Sequence, residues 1–300
     1  MYIKYFLGRC RAMGRKIIFF DADGTIIKGN KISDLTKEAF KKLKERGHVL
    51  VLCTGRAMPA LHGPLQELNF ENMICSAGGT VVVNNEIVYT NPMSMESKKE
   101  LIEFFDSHGV LYNIESNDYI WINKGQKERY LSLVEPPKEG TVSKEEYESA
   151  IKRRETMANR TKETDNPTEL NINKIHRYEA EILYDGKPVP ITYEYVKNIF
   201  KDKYNIVKLS LGKVFSGGEI SESRVTKSAG MKVVLDYFNI DKDDIYAIGD
   251  DYNDFDMLKF ATHSIAMGHA PEEIKEVCKY ITEDIDNDGL YYAMKKYDLL

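Results

Sequence analysis

Long apolar runs are missing from this 300-residue chain: no stretch approaches the roughly 20 residues needed to cross a bilayer, so no membrane partner is expected. Cysteine is scarce as well. Cys10, Cys53, Cys75 and Cys278 form no Cys-x-x-Cys pair and have no histidine at short spacing. That scatter fits reduced thiols in a cytoplasmic protein better than a disulfide frame or a zinc site. None of the six histidines shows metal-ligand spacing, and all are read as structural or surface residues. Positive charge is not in excess either. With 47 acidic side chains against 42 basic ones, the formal net charge is -5, and nucleic acid is not expected as a partner. Internal repeats and low-complexity tracts are absent. Residues 1–14 have too short an apolar run, in the wrong order, for a secretory signal, and are expected to be a loose extension.

What the chain does have is 42% hydrophobic and 30% charged residues, the balance of a soluble globular protein long enough for one large domain or two ordinary ones. Its most telling stretch is Ile17-Ile18-Phe19-Phe20-Asp21-Ala22-Asp23-Gly24-Thr25. Four consecutive apolar residues read as a strand buried on both faces, and a Gly-Thr turn stops it. Asp21 and Asp23 therefore sit at the carboxyl end of a central strand, where open α/β sheets bind ligands. Taken alone, the same pair could simply cap backbone amides in the turn.

Two further strands end in the same way. Val49 to Cys53 runs into Thr54-Gly55-Arg56, and Ile245 to Ile248 into Gly249-Asp250-Asp251-Tyr252-Asn253-Asp254. Between the first two strands, Ser33 or Asp34 caps a predicted helix to about Arg46, with Gly47 placed to end it. The basic cluster Lys41-Lys42-Leu43-Lys44-Glu45-Arg46 falls on that helix and reads as its solvated face. A helix is expected over 57–68, with Pro59 in its first turn, then a short strand Asn72 to Cys75. A hairpin follows, turning at Asn84-Asn85. Alternating strands and helices predict a parallel sheet with helices on both faces.

From about residue 92 the texture changes. A helix from Met95 to His108 precedes two short strands meeting at Asn117-Asp118, and a charged stretch over 138–164 reads as part helix and part mobile loop. Strands are expected at Glu179 to Tyr184 and Tyr204 to Leu211, with a helix at Ile191 to Phe200. Near Val214 the alternating pattern is expected to resume, with a helix from Val225 to Phe238. The architecture predicted is an α/β core over 15–91 and 208–300, interrupted by an inserted α+β domain over 92–207.

If the three strands are parallel neighbours, their terminal turns open into one crevice. Up to five carboxylates there would raise one another's pKa unless a cation intervened, and hard oxygen donors on short side chains select Mg²⁺. A cation held this way leaves room for a phosphate oxygen. Thr54 and Gly55 can hold others through hydroxyl and amide, and Lys227 can add positive charge, although alone it would read as an exposed lysine in a helix's first turn.

Taken together, Asp21-Ala22-Asp23-Gly24-Thr25, Thr54-Gly55-Arg56, Lys227 and Gly249-Asp250-Asp251-Tyr252-Asn253-Asp254 resemble the four motifs of the haloacid dehalogenase (HAD) superfamily of phosphohydrolases. Thr54 lies 33 positions after Asp21, and Lys227 a further 173. That gap, with Ala266-Met267-Gly268-His269-Ala270-Pro271 and Asp288-Gly289, resembles the Cof-type branch, whose α/β cap (class IIB) is inserted between the second and third motifs. The resemblance covers both core halves and is only topological across the cap. It implies a Rossmannoid core and a Mg²⁺-dependent phosphatase acting on a small phosphoester, such as a sugar phosphate. Asp21 would be the nucleophile and Asp23 the general acid and base. Ala22 (through its amide), Thr54, Gly55, Lys227 and Asn253 would bind the phosphoryl group. Asp21, the Asp23 carbonyl, Asp250 and Asp254 would hold the metal. The same intermediate would also serve a phosphomutase or phosphotransferase, and a retired fold would serve as a ligand-binding regulator.

Departures from the family pattern fall elsewhere. Ala22 replaces a bulkier residue, Ser228 follows Lys227 where glycine is common, and Ser221-Glu222-Ser223-Arg224 is unusual. Ser76-Ala77-Gly78-Gly79 stands where relatives carry Asn-Gly, so a core-to-cap polar contact is expected to be missing. Tyr119, Trp121, Arg153, Arg154, His176 and Arg177 are the cap's candidate specificity residues, with Trp121 read as cap core.

Overall fold

Every residue of the strand Ile17–Asp21 is buried in the computed structural model, which describes residues 14–132, 143–180, 183–184, 187–188, 191–210 and 216–300. The expected extension over 1–14 lies outside the described residues except for Gly14, and so do the side chains of Arg153, His176 and Arg177. The chain divides into two units. One takes in residues 14–53, Gly63–Met73 and Val234–Leu300, the other Thr54–His62 and Ile74–Val233.

The first unit is built on parallel strands in the order Tyr280–Ile281, His263–Ala266, Ile245–Gly249, Ile17–Asp21 and Val49–Cys53. Asn72–Cys75 comes next to Val49–Cys53 and carries the chain into the second unit. Neighbours on each side explain why Ile17, Ile18, Phe19 and Phe20 are apolar without alternation: each is 0% exposed. The helix Asp34–Glu45 forms as its caps predict. Ser33 Oγ accepts from Thr36 N at 3.1 Å, and Gly47 turns the chain away at φ 76°. Its buried face is Thr36, Ala39, Phe40 and Leu43, while Lys42 pairs with Glu38 at 2.7 Å on the outer side. Phe40 is the anchor, 4.8 Å from the Phe20 ring and 5.2 Å from the Phe70 ring. Phe40→Ala is expected to cost about 3–5 kcal/mol in urea unfolding, because the Phe20 and Phe70 rings lose their common partner and a cavity is left.

The second unit contains the expected hairpin, Thr80–Val83 with Glu86–Thr90, turning on Asn84 and Asn85 at φ 51° and 64°. It also contains a six-stranded sheet. The order is Tyr204–Ser210, Ser216–Glu222, Ile172–Ala180, Tyr112–Ser116, Ile120–Asn123 and Thr161–Thr164, antiparallel throughout except for the last pair. Leu101 and Phe105 of the helix Met95–Ser107, with Val196 and Phe200 of Tyr193–Phe200, close over Ile114, Ile175 and Ile220. Trp121 packs against this cluster, as expected, and donates from Nε1 to Ser116 Oγ at 2.9 Å. Arg154 is buried with its guanidinium 4.2 Å over the Tyr130 ring. Tyr119 is exposed beneath Lys162.

Three local expectations are corrected. Residues 57–68 do not form one helix but a 3-10 turn, Met58–Ala60, and a helical turn, Pro64–Glu67. Gly63 at φ 67° followed by a proline breaks the run. The strand expected from Glu179 begins earlier and spans Ile172–Ala180, and Thr161–Thr164 is an edge strand rather than helix or loop. The alternating pattern does not resume near Val214: Ser216–Glu222 is hydrogen-bonded between Tyr204–Ser210 and Ile172–Ala180, and the next helix is Lys227–Phe238. Within the second unit, Ser76 Oγ donates to Glu115 Oε1 at 2.7 Å and accepts from Asn173 Nδ2 at 3.4 Å.

No disulfide links Cys53, Cys75 and Cys278, and burial pushes the Cys75 thiol up to about 12. No described helix is long and apolar enough to cross a membrane.

Candidate active site

Register places the acids. Phe20 is level with Ile248 on one side and Leu52 on the other, so Ile17–Asp21 and Ile245–Gly249 run out at the same edge. The chain leaving Asp21 then folds back tightly. Gly24 N donates to Ile27 O at 2.9 Å, and Ala22 O accepts from Ile26 N and Ile27 N at 3.0 and 2.9 Å. Asp21 is buried, Ala22 is fully buried beneath the turn, and Asp23 is exposed on it.

The second acidic turn is held by its own carboxylate. Asp254 Oδ2 accepts from Asp250 N at 2.9 Å and Asp251 N at 3.2 Å, and the Tyr252–Asp254 turn is capped reciprocally by Asp251 and Asp254. Asp254 is 0% exposed. Single carboxylate oxygens of Asp21, Asp250 and Asp254 thereby come within 4.8 Å of one another. Asp250 is fixed further by Thr25 Oγ1, which donates to its Oδ1 at 2.8 Å, and by His269 Nε2, 3.3 Å from its Oδ2.

Two glycines make this packing possible. A Cβ on Gly24 would lie 2.1 Å from Asp250 Oδ2, and one on Gly249 would lie 2.6 Å from Asp254 Oδ2. Gly24 also has φ +94°, which an L side chain resists. Gly24→Ala is therefore expected to drive Asp250 out of place and, given the role the resemblance implies for Asp250, to lower turnover by at least ~100-fold, read in a phosphate-release assay.

Like charges crowd the cluster. Burial first, and then the charge of Asp254, push the Asp250 carboxyl up to about 6, with the Thr25 hydrogen bond and His269 pulling the other way. The donor set is all carboxylate oxygen from short side chains, which fits Mg²⁺ rather than a thiolate- or imidazole-seeking metal.

Of the other expected site residues, Asn253 belongs to the same turn; its Oδ1 is buried with no hydrogen-bond partner among the described residues. Thr54, Gly55 and Lys227 lie in the second unit. There Thr54 N donates to Ile74 O at 2.8 Å and Thr54 Oγ1 accepts from Arg56 N at 3.0 Å, a local turn that orients the hydroxyl. Lys227 opens the helix Lys227–Phe238 and is 1% exposed, so it is not the solvated first-turn lysine its sequence position alone would suggest. Thr25 and His269 were not expected from sequence. His269, among the histidines expected to be structural or surface, lies against Asp250. Its only signal was membership of the Ala266 to Pro271 stretch.

Comparison with known proteins gives the family. The family model described as haloacid dehalogenase-like hydrolase matches residues 18–294. YkrA of Bacillus subtilis (strain 168) is 26% identical over 300 residues, covering 96% of this chain and all of that protein. The 5-amino-6-(5-phospho-D-ribitylamino)uracil phosphatase YwtE of the same organism is 25% identical over 303 residues, covering 92% and 96%. A solved HAD subclass IIB sugar phosphatase, BT4131, shares the fold with a TM-score of 0.73 at 21% identity, covering 95% and 100%. The chain belongs to the haloacid dehalogenase-like hydrolase family.

Proposed function

We propose that this hydrolase is a phosphoric monoester phosphatase that cleaves a small phosphorylated metabolite through an aspartyl-phosphate. The observation that carries the reading is the meeting of Asp21, Asp250 and Asp254 at the ends of parallel strands. An Asp21 carboxylate oxygen attacks phosphorus while the ester P–O bond breaks, and the Asp23 carboxyl gives its proton to the departing alkoxide. Asp23, now a carboxylate, takes a proton from water as that water attacks the phosphoryl group, releasing inorganic phosphate and Asp21. Its exposure on the turn suits a group that must meet both leaving group and water.

In this reading Thr54, Gly55, Lys227 and Asn253 would hold the phosphoryl oxygens, as the Ala22 amide would, and Asp21, the Asp23 carbonyl, Asp250 and Asp254 would hold Mg²⁺. When bound, the ion neutralises charge on nucleophile and phosphoryl group alike. A substrate range among sugar phosphates or the phosphorylated ribitylaminouracil is suggested by the sugar phosphatase and the YwtE relative.

The test is a panel of phosphoesters headed by those two classes, with phosphate release followed with and without Mg²⁺. Mg²⁺-dependent release of phosphate is expected. An isomeric sugar phosphate without free phosphate would make the enzyme a mutase, and no turnover of any member would leave a ligand-binding protein.

A further inference from the structure

We infer that His269 is a positioning residue for Asp250, itself held by Asp284, and that this trio sets how Asp250 presents its oxygens to the cation. The inference rests on the proposed role of Asp250 as a metal ligand. His269 Nε2 is 3.3 Å from Asp250 Oδ2, and Nδ1 is 3.5 Å from Asp284 Oδ2. Thr25 occupies the other Asp250 oxygen. With one partner on each oxygen, the carboxylate plane cannot rotate without losing a hydrogen bond, which is how an outer partner aims a ligand.

The backbone around the ring is built to deliver it there. Met267 N donates to Gly249 O at 3.0 Å, tying the histidine's loop to the strand that ends at Asp250. Gly268 N donates to Glu283 O at 3.1 Å, and a Cβ on Gly268 would lie 2.8 Å from Asp284 N, so the loop lies directly on the 283–284 backbone. From the other side, Gly289 N donates to Asp284 O at 3.1 Å, and a Cβ on Gly289 would lie 1.9 Å from Glu283 O. Asp284 is steadied in turn by Asp286 N, which donates to its Oδ1 at 3.0 Å. The two sequence stretches that the catalytic roles leave unused, Ala266 to Pro271 and Asp288-Gly289, thus share one purpose: seating the imidazole between two carboxylates.

The experiment is Mg²⁺ titration by calorimetry on the full chain, with each variant's melting temperature taken in the absence of metal. His269→Ala is expected to weaken Mg²⁺ binding ~10- to 100-fold. His269→Gln, whose amide Nε2 can still donate to Asp250, is expected to recover most of that loss, and Asp284→Asn to lose part of it. Recovery by glutamine is not what a merely space-filling ring would give. If His269→Ala binds Mg²⁺ within twofold of wild type, or if glutamine is no better than alanine, the inference is overturned while the metal site stands. A wild-type chain that binds no Mg²⁺, or an Asp250→Asn variant that binds it as wild type does, overturns both.

Discussion

Asp21→Asn is expected to lower phosphate release by at least ~10⁴-fold while leaving the melting temperature of the metal-free protein unchanged or higher. The rate falls because an amide oxygen is a far poorer nucleophile than a carboxylate. The fold survives because the strand is held by its apolar residues and parallel pairing. Removing its charge also relieves repulsion with Asp250 and Asp254, whose oxygens lie within 4.8 Å. Phosphate release on the best panel substrate, with a thermal melt on the same sample, reads both effects. Activity within tenfold of wild type would rule out a covalent intermediate on Asp21.

Asp250→Asn is expected to abolish the dependence on Mg²⁺ and most of the rate together, at least ~100-fold in turnover, while stabilising the metal-free protein at pH 7.5. The sign follows from linkage. In the folded protein the Asp250 carboxyl is pushed up to about 6, against 3.8 ordinarily, by burial and by Asp254. A group raised in this way contributes stability below pH 3.8 and loses it as pH rises through about 6. At pH 7.5 the ionised carboxylate is thus a cost that a bound cation removes. Wild type should gain melting temperature with Mg²⁺ at pH 7.5 and little at pH 5, whereas the asparagine variant should gain none at either. An equal Mg²⁺-induced shift in wild type and variant would place the cation elsewhere.

Features of this chain are legible in its sequence where their signal is local. The Ser33 cap, the Asn84-Asn85 turn and the unbroken apolar run of Ile17 to Phe20 are each stated within a few residues, and each is found as expected. Ile172–Ala180 was misplaced because Asn173 is polar yet 1% exposed. It is buried against Asn117 and Ser76, 56 and 97 positions away, and such partners are invisible to a pattern that equates polarity with solvent. The same limit hid His269, whose partners Asp250 and Asp284 are brought to it by strand register and by two glycine contacts.

The sequence by itself determined the family, the α/β alternation and the acids at strand ends, because strand-end motifs and apolar periodicity are short-range features written in consecutive residues. Only the tertiary structure decided that carboxylate oxygens of Asp21, Asp250 and Asp254 come within 4.8 Å of one another, that Gly24 and Gly249 are glycines so that carboxylates can lie against them, and that a histidine and a threonine grip Asp250 from opposite oxygens. Distances between residues more than 200 positions apart follow from parallel register and close packing, and no window along the chain contains them.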